Sequence, residues 1–152
     1  MEEGGLGLDA LIRKCVEEDL AEVMKLEEES FKFPYDMKTF THFLSSDRAI
    51  FLVYDLDGAV EGYIICDIHG EDVGAIVSIA VSSKYRRTGL GSALLDAAMS
   101  KMRGKASKLV LQVAKSAEGA IRFYRIHGFT TEGTLPHYYP DGEDAYLMTR
   151  TL

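Results

Sequence analysis

Cysteine is scarce in this sequence: Cys15 and Cys66 are the only two. Both stand in apolar, strand-like surroundings, which argues against a disulfide framework or a cysteine-based zinc site and makes a reducing cytoplasm the simplest setting. Histidine supplies no metal site either. His42, His69, His127 and His137 lack ligand spacing, so no metal is expected and each reads as a surface or capping residue. No apolar run approaches the ~18 residues of a membrane-crossing helix. The opening MEEGGLGLDA is acidic and Gly-rich where a signal peptide is basic and then apolar. Positive charge is short as well, with 17 Lys and Arg against 24 Asp and Glu for a net charge of -7. Proteins that live on phosphate backbones carry a basic face, so neither nucleic acid nor a membrane is an expected partner. Cationic substrates, such as free amines or basic peptide ends, suit this field.

What remains is an ordinary globular composition: 152 residues, 47% hydrophobic and 27% charged. That length suits one domain over residues 1–152, with residues 1–8 as a loose lead-in, and such domains bury roughly 68–70% of the surface their unfolded chains expose. Leu11 to Val16 alternates as a first strand. Glu17, Glu18 and Asp19 open a helix with acidic charge at its positive end, Asp19 and Glu22 have capping-box spacing, and Leu20, Val23 and Met24 share a face that Phe31 continues. Glu27-Glu28-Glu29 reads as a solvated helix face, with attraction of a cationic substrate end as the functional alternative. After the Phe33-Pro34-Tyr35 break, Asp36 to Leu44 forms a second short helix with Met37, Phe40 and Leu44 on one stripe.

Ala49 to Tyr54 and Ala59 to His69 flank the hairpin signal Asp57-Gly58, and beyond a Gly70-Glu71-Asp72 turn, Val73 to Val81 is the next antiparallel strand. Leu94, Leu95, Ala98, Met99 and Met102 mark one face of a helix. Lys108 to Val113 follows as a strand, and the helical crossover before it predicts that it runs parallel to the strand ending at Val81. Ser116 to His127 is a helix carrying Ala117, Ala120, Ile121 and Tyr124 on one side, closed by Gly128. Phe129 to Leu135 and Ala145 to Leu152 are the last strands, joined by a loop from His137 to Asp144. The pattern is mixed α/β.

The chemistry gathers where Ile76 to Val81 hands over to a helix through Tyr85-Arg86-Arg87-Thr88-Gly89-Leu90-Gly91. The first N–H groups of a helix have no partner inside it and suit a phosphate. No Gly-Lys-Ser/Thr closes the turn, which excludes a Walker loop, and Leu94 stands where a dinucleotide fingerprint needs its third glycine. Arg-x-x-Gly-x-Gly remains, in which Arg86 and Arg87 add charge while Gly89 and Gly91 let the backbone approach a pyrophosphate. The plainer alternative is a surface turn that only caps a helix.

The stretch IAVSSKYRRTGLGSALL resembles the acetyl-CoA-binding segment of the GNAT acyltransferases. LVLQVAKSAEGAIRFYRIHGF resembles the next segment of their N-terminal acetyltransferase branch, and YYPDGEDAYLMTRTL is similar to the end of the NatA catalytic subunit and its archaeal, RimI-like relatives. The resemblance implies a GNAT fold: a mixed, mostly antiparallel sheet of about seven strands, splayed at the cofactor site and flanked by about four helices. It implies that Ile79, Ala80 and Val81 hold the acetyl carbonyl and pantetheine arm through their backbone, and that Arg86, Arg87, Thr88, Gly89, Leu90, Gly91 and Ser92 wrap the pyrophosphate. Tyr124 falls where the family has its tyrosine near the CoA sulfur, a general acid for the leaving thiolate; its alternative is a core aromatic.

Three positions depart from the branch. Gln112 stands where relatives have a Glu or His base, and Ala75 where others have His or Tyr; neither takes a proton, although Gln112 can orient a water. Ala117 replaces an Asn that contacts pantetheine, leaving Ser116 or backbone groups to substitute. The resemblance places Phe33, Pro34 and Tyr35 beside Tyr138 and Tyr139 around a peptide end, with core packing the alternative for Phe33. The implied activity is acetyl transfer from acetyl-CoA to the α-amine of protein N-termini by direct attack in a ternary complex. Acetylation of lysine or a small amine, or CoA binding without chemistry, are the alternatives.

Overall fold

In the computed structural model, residues 10–152 are described, and the lead-in expected over residues 1–8 lies outside them. The chain runs β1 (Ala10–Lys14), α1 (Leu20–Ser30), α2 (Met37–Ser45), β2 (Ala49–Leu56), β3 (Ala59–His69), β4 (Val73–Val81), α3 (Leu90–Met102), β5 (Lys108–Ala114), α4 (Glu118–Ile126), β6 (Thr130–Leu135) and β7 (Ala145–Thr151). The seven strands form one sheet in the order β1-β2-β3-β4-β5-β7-β6. All neighbours are antiparallel except β4 and β5, which the α3 crossover makes parallel.

Local chemistry explains the hairpin between β2 and β3. Asp57 and Gly58 both take positive φ, at 54° and 88°, the geometry of a type I′ turn whose twist matches the strands it joins. In β2, Ile50, Leu52 and Tyr54 face one side of the sheet and Phe51 and Val53 the other, and both sets are buried. That two-sided burial is why the segment reads as an unbroken apolar run. The α3 residues Leu90, Leu94, Leu95, Ala98, Met99 and Met102 cover the first face together with Ile121 and Tyr124 of α4. Leu20, Val23 and Leu26 of α1 and Phe40 of α2 cover the second.

The start of α1 differs from its sequence signal. Asp19 does not cap that helix and forms no capping box with Glu22; a 3-10 turn over Glu17–Asp19 precedes α1, and the Asp19 carboxylate turns back to the Val16 N–H at 2.8 Å. Arg13 on β1 meets it with a two-pronged fork, at 2.8 and 3.0 Å, which outweighs a cap. Glu22 instead accepts from the Val60 N–H on β3 at 3.3 Å. Asp36 does cap α2, accepting from the Thr39 N–H at 3.0 Å. Two apolar stripes are shorter than expected: α1 stops at Ser30 and leaves Phe31 39% exposed, and of the α2 stripe Phe40 is buried while Met37 is 42% exposed.

The hydrogen bonds from Arg13 hold the Asp19 carboxyl below the usual carboxylate range. A depressed folded-state pKa stabilises the fold above the unfolded value of about 3.9, and that contribution is lost as pH falls through the folded value. Asp19→Asn is expected to cost about 1–3 kcal/mol at neutral pH. Urea unfolding should show wild type and variant separated at pH 7 and converging toward pH 2.

Candidate active site

Strands β4 and β5 pair at three positions only, Val73–Ala75 against Lys108–Val110. Beyond them the strands part. Against β3, Ile76 faces Cys66 and Ser78 faces Ile65, so Val77 is an extra, bulged residue, and a bulge bends its strand and sharpens its twist. Meanwhile β5 stays bound to β7 along its whole length, Lys108–Ala114. The gap is a cavity of about 650 Å³, floored by Ile76 to Val81 on one side and Leu111 to Ala114 on the other. The Ser82 N–H bonds to the Glu61 carbonyl of β3 at 2.8 Å, and strand alternation therefore aims the Val81 and Ile79 N–H groups at the gap.

The sequence-chosen turn closes one end. Arg87 and Gly89 take positive φ, 66° and 90°, before α3 starts at Leu90. Arg86, Arg87, Gly89, Gly91 and Ser92 line the cavity. Thr88 and Leu90 do not: the Thr88 hydroxyl donates to the Tyr85 carbonyl, and the Leu90 side chain is in the core. Only their backbone is left to face the turn. His127 is the C-cap of α4, one of the two roles expected of it, and it is half-buried, with Nε2 2.9 Å from Ser92 Oγ of α3.

Tyr124 stands at the base of the gap, edge-on to Phe129 and Phe123 with ring centroids 5.6 and 5.4 Å away. Burial pushes its phenol well above the ordinary tyrosine value, which keeps the proton on at neutral pH. Gln112 and Ala117 line the cavity. Ser116 does not, because its N–H is taken by Glu143 at 2.8 Å. Ala75 is buried in the paired part of β4, opposite Val110 and away from the opening.

Aromatic residues form the far wall. Phe31, Phe33 and Tyr35, from the link between α1 and α2, face Tyr138 and Tyr139 from the loop between β6 and β7; Pro34 is not part of the lining. Tyr138 and Tyr139 meet edge to face at 4.9 Å. Lys32 and Asp141 join the two sides through a 2.9 Å salt bridge. Burial, then its neighbours Tyr138 and Tyr35, push the Tyr139 phenol up to about 12.

The largest correction concerns Glu27-Glu28-Glu29. Glu28 and Glu29 are exposed as a solvated face would be, but Glu27 is 1% exposed and its side chain borders the cavity. Its Oε1 accepts from the Tyr63 hydroxyl and, at 2.8 Å, from Ser78 Oγ, and its Oε2 accepts from the Tyr35 N–H at 3.0 Å. The periodicity held the clue. Glu27 is four residues after Val23 and seven after Leu20, hence on the buried face of α1.

An unpaired strand edge, a basic helix N-terminus and a buried tyrosine on one apolar cleft suit a long ligand with a phosphate end and a reactive carbonyl end. The profile of the Acetyltransferase (GNAT) family matches residues 20–129. The chain belongs to the GNAT acetyltransferases. Among GNAT relatives, an N-alpha-acetyltransferase of Sulfurisphaera tokodaii is 36% identical, with 99% of this chain and 98% of the relative covered. Ard1 from Thermoplasma volcanium superposes with a TM-score of 0.88 at 31% identity, covering 94% of this chain and 97% of its own. A chain of the NatC complex bound to Gag peptide and CoA gives a TM-score of 0.81 at 25% identity, covering 94% and 98%. Both cysteines are buried. Burial pushes both thiols, Cys15 beyond β1 and Cys66 on β3, up to about 12. Neither should react with Ellman's reagent at pH 8 in the native protein, and both should react in urea, read by absorbance.

Proposed function

We propose that this chain, working as one domain over residues 1–152, transfers the acetyl group of acetyl-CoA to the α-amine of protein N-termini by direct attack in a ternary complex. The observation that carries the reading is the parting of β4 from β5, with N–H donors, Tyr124 and an aromatic wall on one cavity. The residues present fit acetyl-CoA: a narrow apolar gap for the pantetheine arm leads to Arg86, Arg87 and the N–H groups of Gly89 to Ser92 for the pyrophosphate. When bound, the thioester supplies an acetyl group activated for attack by nitrogen.

The backbone of Ile79, Ala80 and Val81 lines the arm, and the N–H groups aimed into the gap polarise the carbonyl and hold the charge that develops on its oxygen. Tyr124 keeps a proton at its hydroxyl for the leaving sulfur. Gln112 orients a water at the mouth, and Ala117 leaves room for the arm beside α4. The peptide end enters between Phe33 and Tyr35 on one side and Tyr138 and Tyr139 on the other. An α-amine has an unperturbed pKa of ~7.7–8.0, so much of it is already neutral at physiological pH. The acidic surface favours a cationic chain end over a nucleic acid. Among the described residues no helix is long and apolar enough to cross a membrane, and the buried, unpaired thiols fit a reducing cytoplasm.

Peptides with free or blocked N-termini, with and without lysine, should separate the substrate classes when read by mass after incubation with acetyl-CoA. Free N-termini are expected to gain one acetyl group, and acetylation of the blocked, lysine-containing peptide alone would falsify the N-terminal assignment. Tyr124→Phe is expected to lower kcat about a hundredfold without changing CoA affinity measured by calorimetry; unchanged turnover at every pH removes Tyr124 from the reaction.

A further inference from the structure

Acetyl transfer to an amine takes a proton off its nitrogen, and the cavity holds few groups able to receive it. Among the described residues its carboxylates are Glu27, Asp141 and Glu143, and no histidine lines it. Asp141 is bound to Lys32 at the exposed rim, and Glu143 is occupied by the Ser116 N–H. Glu27 alone of the three is buried, and it bonds to Ser78, the residue before Ile79 on the open edge of β4. No lysine or arginine is ion-paired with it among the described residues. A buried carboxylate held only by neutral donors is a costly way to brace a fold, because its charge is taken out of water with no opposite charge beside it. Two oxygens provide about four acceptor sites. Three are filled, by Tyr63, Ser78 and the Tyr35 N–H, which leaves one on Oε2.

We propose that Glu27 is the proton acceptor for the incoming amine, reached through the Ser78 hydroxyl. The step rests on the acetyl-transfer reading of the cavity. As the amine nitrogen forms its bond to the acetyl carbon, its N–H proton passes to Ser78 Oγ, and Ser78 passes its own hydroxyl hydrogen to Glu27 Oε1. The carbon–sulfur bond breaks, its electron pair leaves on sulfur, and Tyr124 protonates the thiolate. Glu27 later returns its proton to solvent and Tyr124 regains one from it, so a neutral amine and acetyl-CoA leave as amide and CoA thiol with no net proton released. The contact of 3.0 Å between Tyr63 Oη and Ser78 Oγ gives Ser78 a second hydroxyl partner, so it can turn without losing all its bonds. Titratable groups facing Glu27 are Tyr63 from β3 and Tyr35 from the link between α1 and α2, with Tyr138 beyond Tyr35; burial, before the Glu27 charge, raises the Tyr63 and Tyr35 phenols out of the working pH range.

The test compares Glu27→Gln, Glu27→Asp and Ser78→Ala with wild type on whichever amine the wild type acetylates, N-terminal or lysine. E27Q is expected to keep its thermal midpoint within a few degrees and its calorimetric CoA affinity unchanged, while kcat at saturating substrates falls about 10²-fold or more. Its kcat should climb with pH from 6 to 9 where wild type levels off, Glu27→Asp should recover part of the rate, and Ser78→Ala should share the loss. Wild-type kcat and pH profile in E27Q would overturn the step, as would a loss confined to KM for the amine, which marks Glu27 as a recognition group, or a fully active Ser78→Ala. Should E27Q not fold, Ser78→Ala decides by the same criteria. A wild type that acetylates no amine overturns the reading of the cavity and this step with it; an active wild type with an indifferent E27Q overturns the step alone.

Discussion

A parallel strand pair that ends after three positions is the constraint on which the site depends. Backbone N–H and C=O groups inside a protein need partners, and the parting of β4 from β5 leaves a row of them facing a cavity, available to a ligand. Each parted strand also delivers a helix to that cavity. From β4 comes α3, whose N-terminus sits behind two arginines and a left-handed glycine. From β5 comes α4, which carries Tyr124. One departure from regular pairing thus brings together an open row of backbone groups, a basic helix N-terminus and a buried tyrosine that lie far apart in the chain.

The layer formed by α1 and α2 does more than cover the second face of the sheet. Phe40 of α2 lies edge-on to Tyr63 at 6.0 Å, both are fully buried, and the Tyr63 hydroxyl donates to Glu27. Glu27 in turn holds the Tyr35 backbone, at the point where the chain leaves the aromatic wall and enters α2. Packing, a buried charge and the entrance to the cavity are therefore mechanically linked: a change in the core under α2 is felt at the carboxylate and at the wall.

Charge is distributed to match. An acidic chain concentrates two arginines at the turn before α3, where helix N–H groups already favour an anion. The opposite rim is clasped by Lys32 and Asp141 and flanked by Glu143. The cavity therefore has a positive end and, across from it, a mixed, net acidic rim.

Much of the fold was written locally. Val73–Val81 and Ala59–His69 begin and end where the sequence places them, because Asp57-Gly58 and Gly70 dictate turns whatever lies beyond. The direction of β5 follows from the handed, helical crossover. The motif around Arg86 to Ser92 is equally local, since a glycine with positive φ and a helix start need only their own neighbours. Other features needed partners from far along the chain. Asp19 has the letters of a cap but answers to Arg13, six residues back on another element. Ser116 looked free to reach the cavity until Glu143 claimed its N–H. Glu27 is the sharpest case, one of three identical residues, whose partners Tyr63 and Ser78 lie 36 and 51 positions away. The sequence by itself determined the elements, their order and the basic, glycine-bearing turn before α3, because those depend on propensity, periodicity and turn geometry. Only the tertiary structure decided which carboxylate is buried beside the cavity, because burial and hydrogen bonding belong to the packed sheet and helices together.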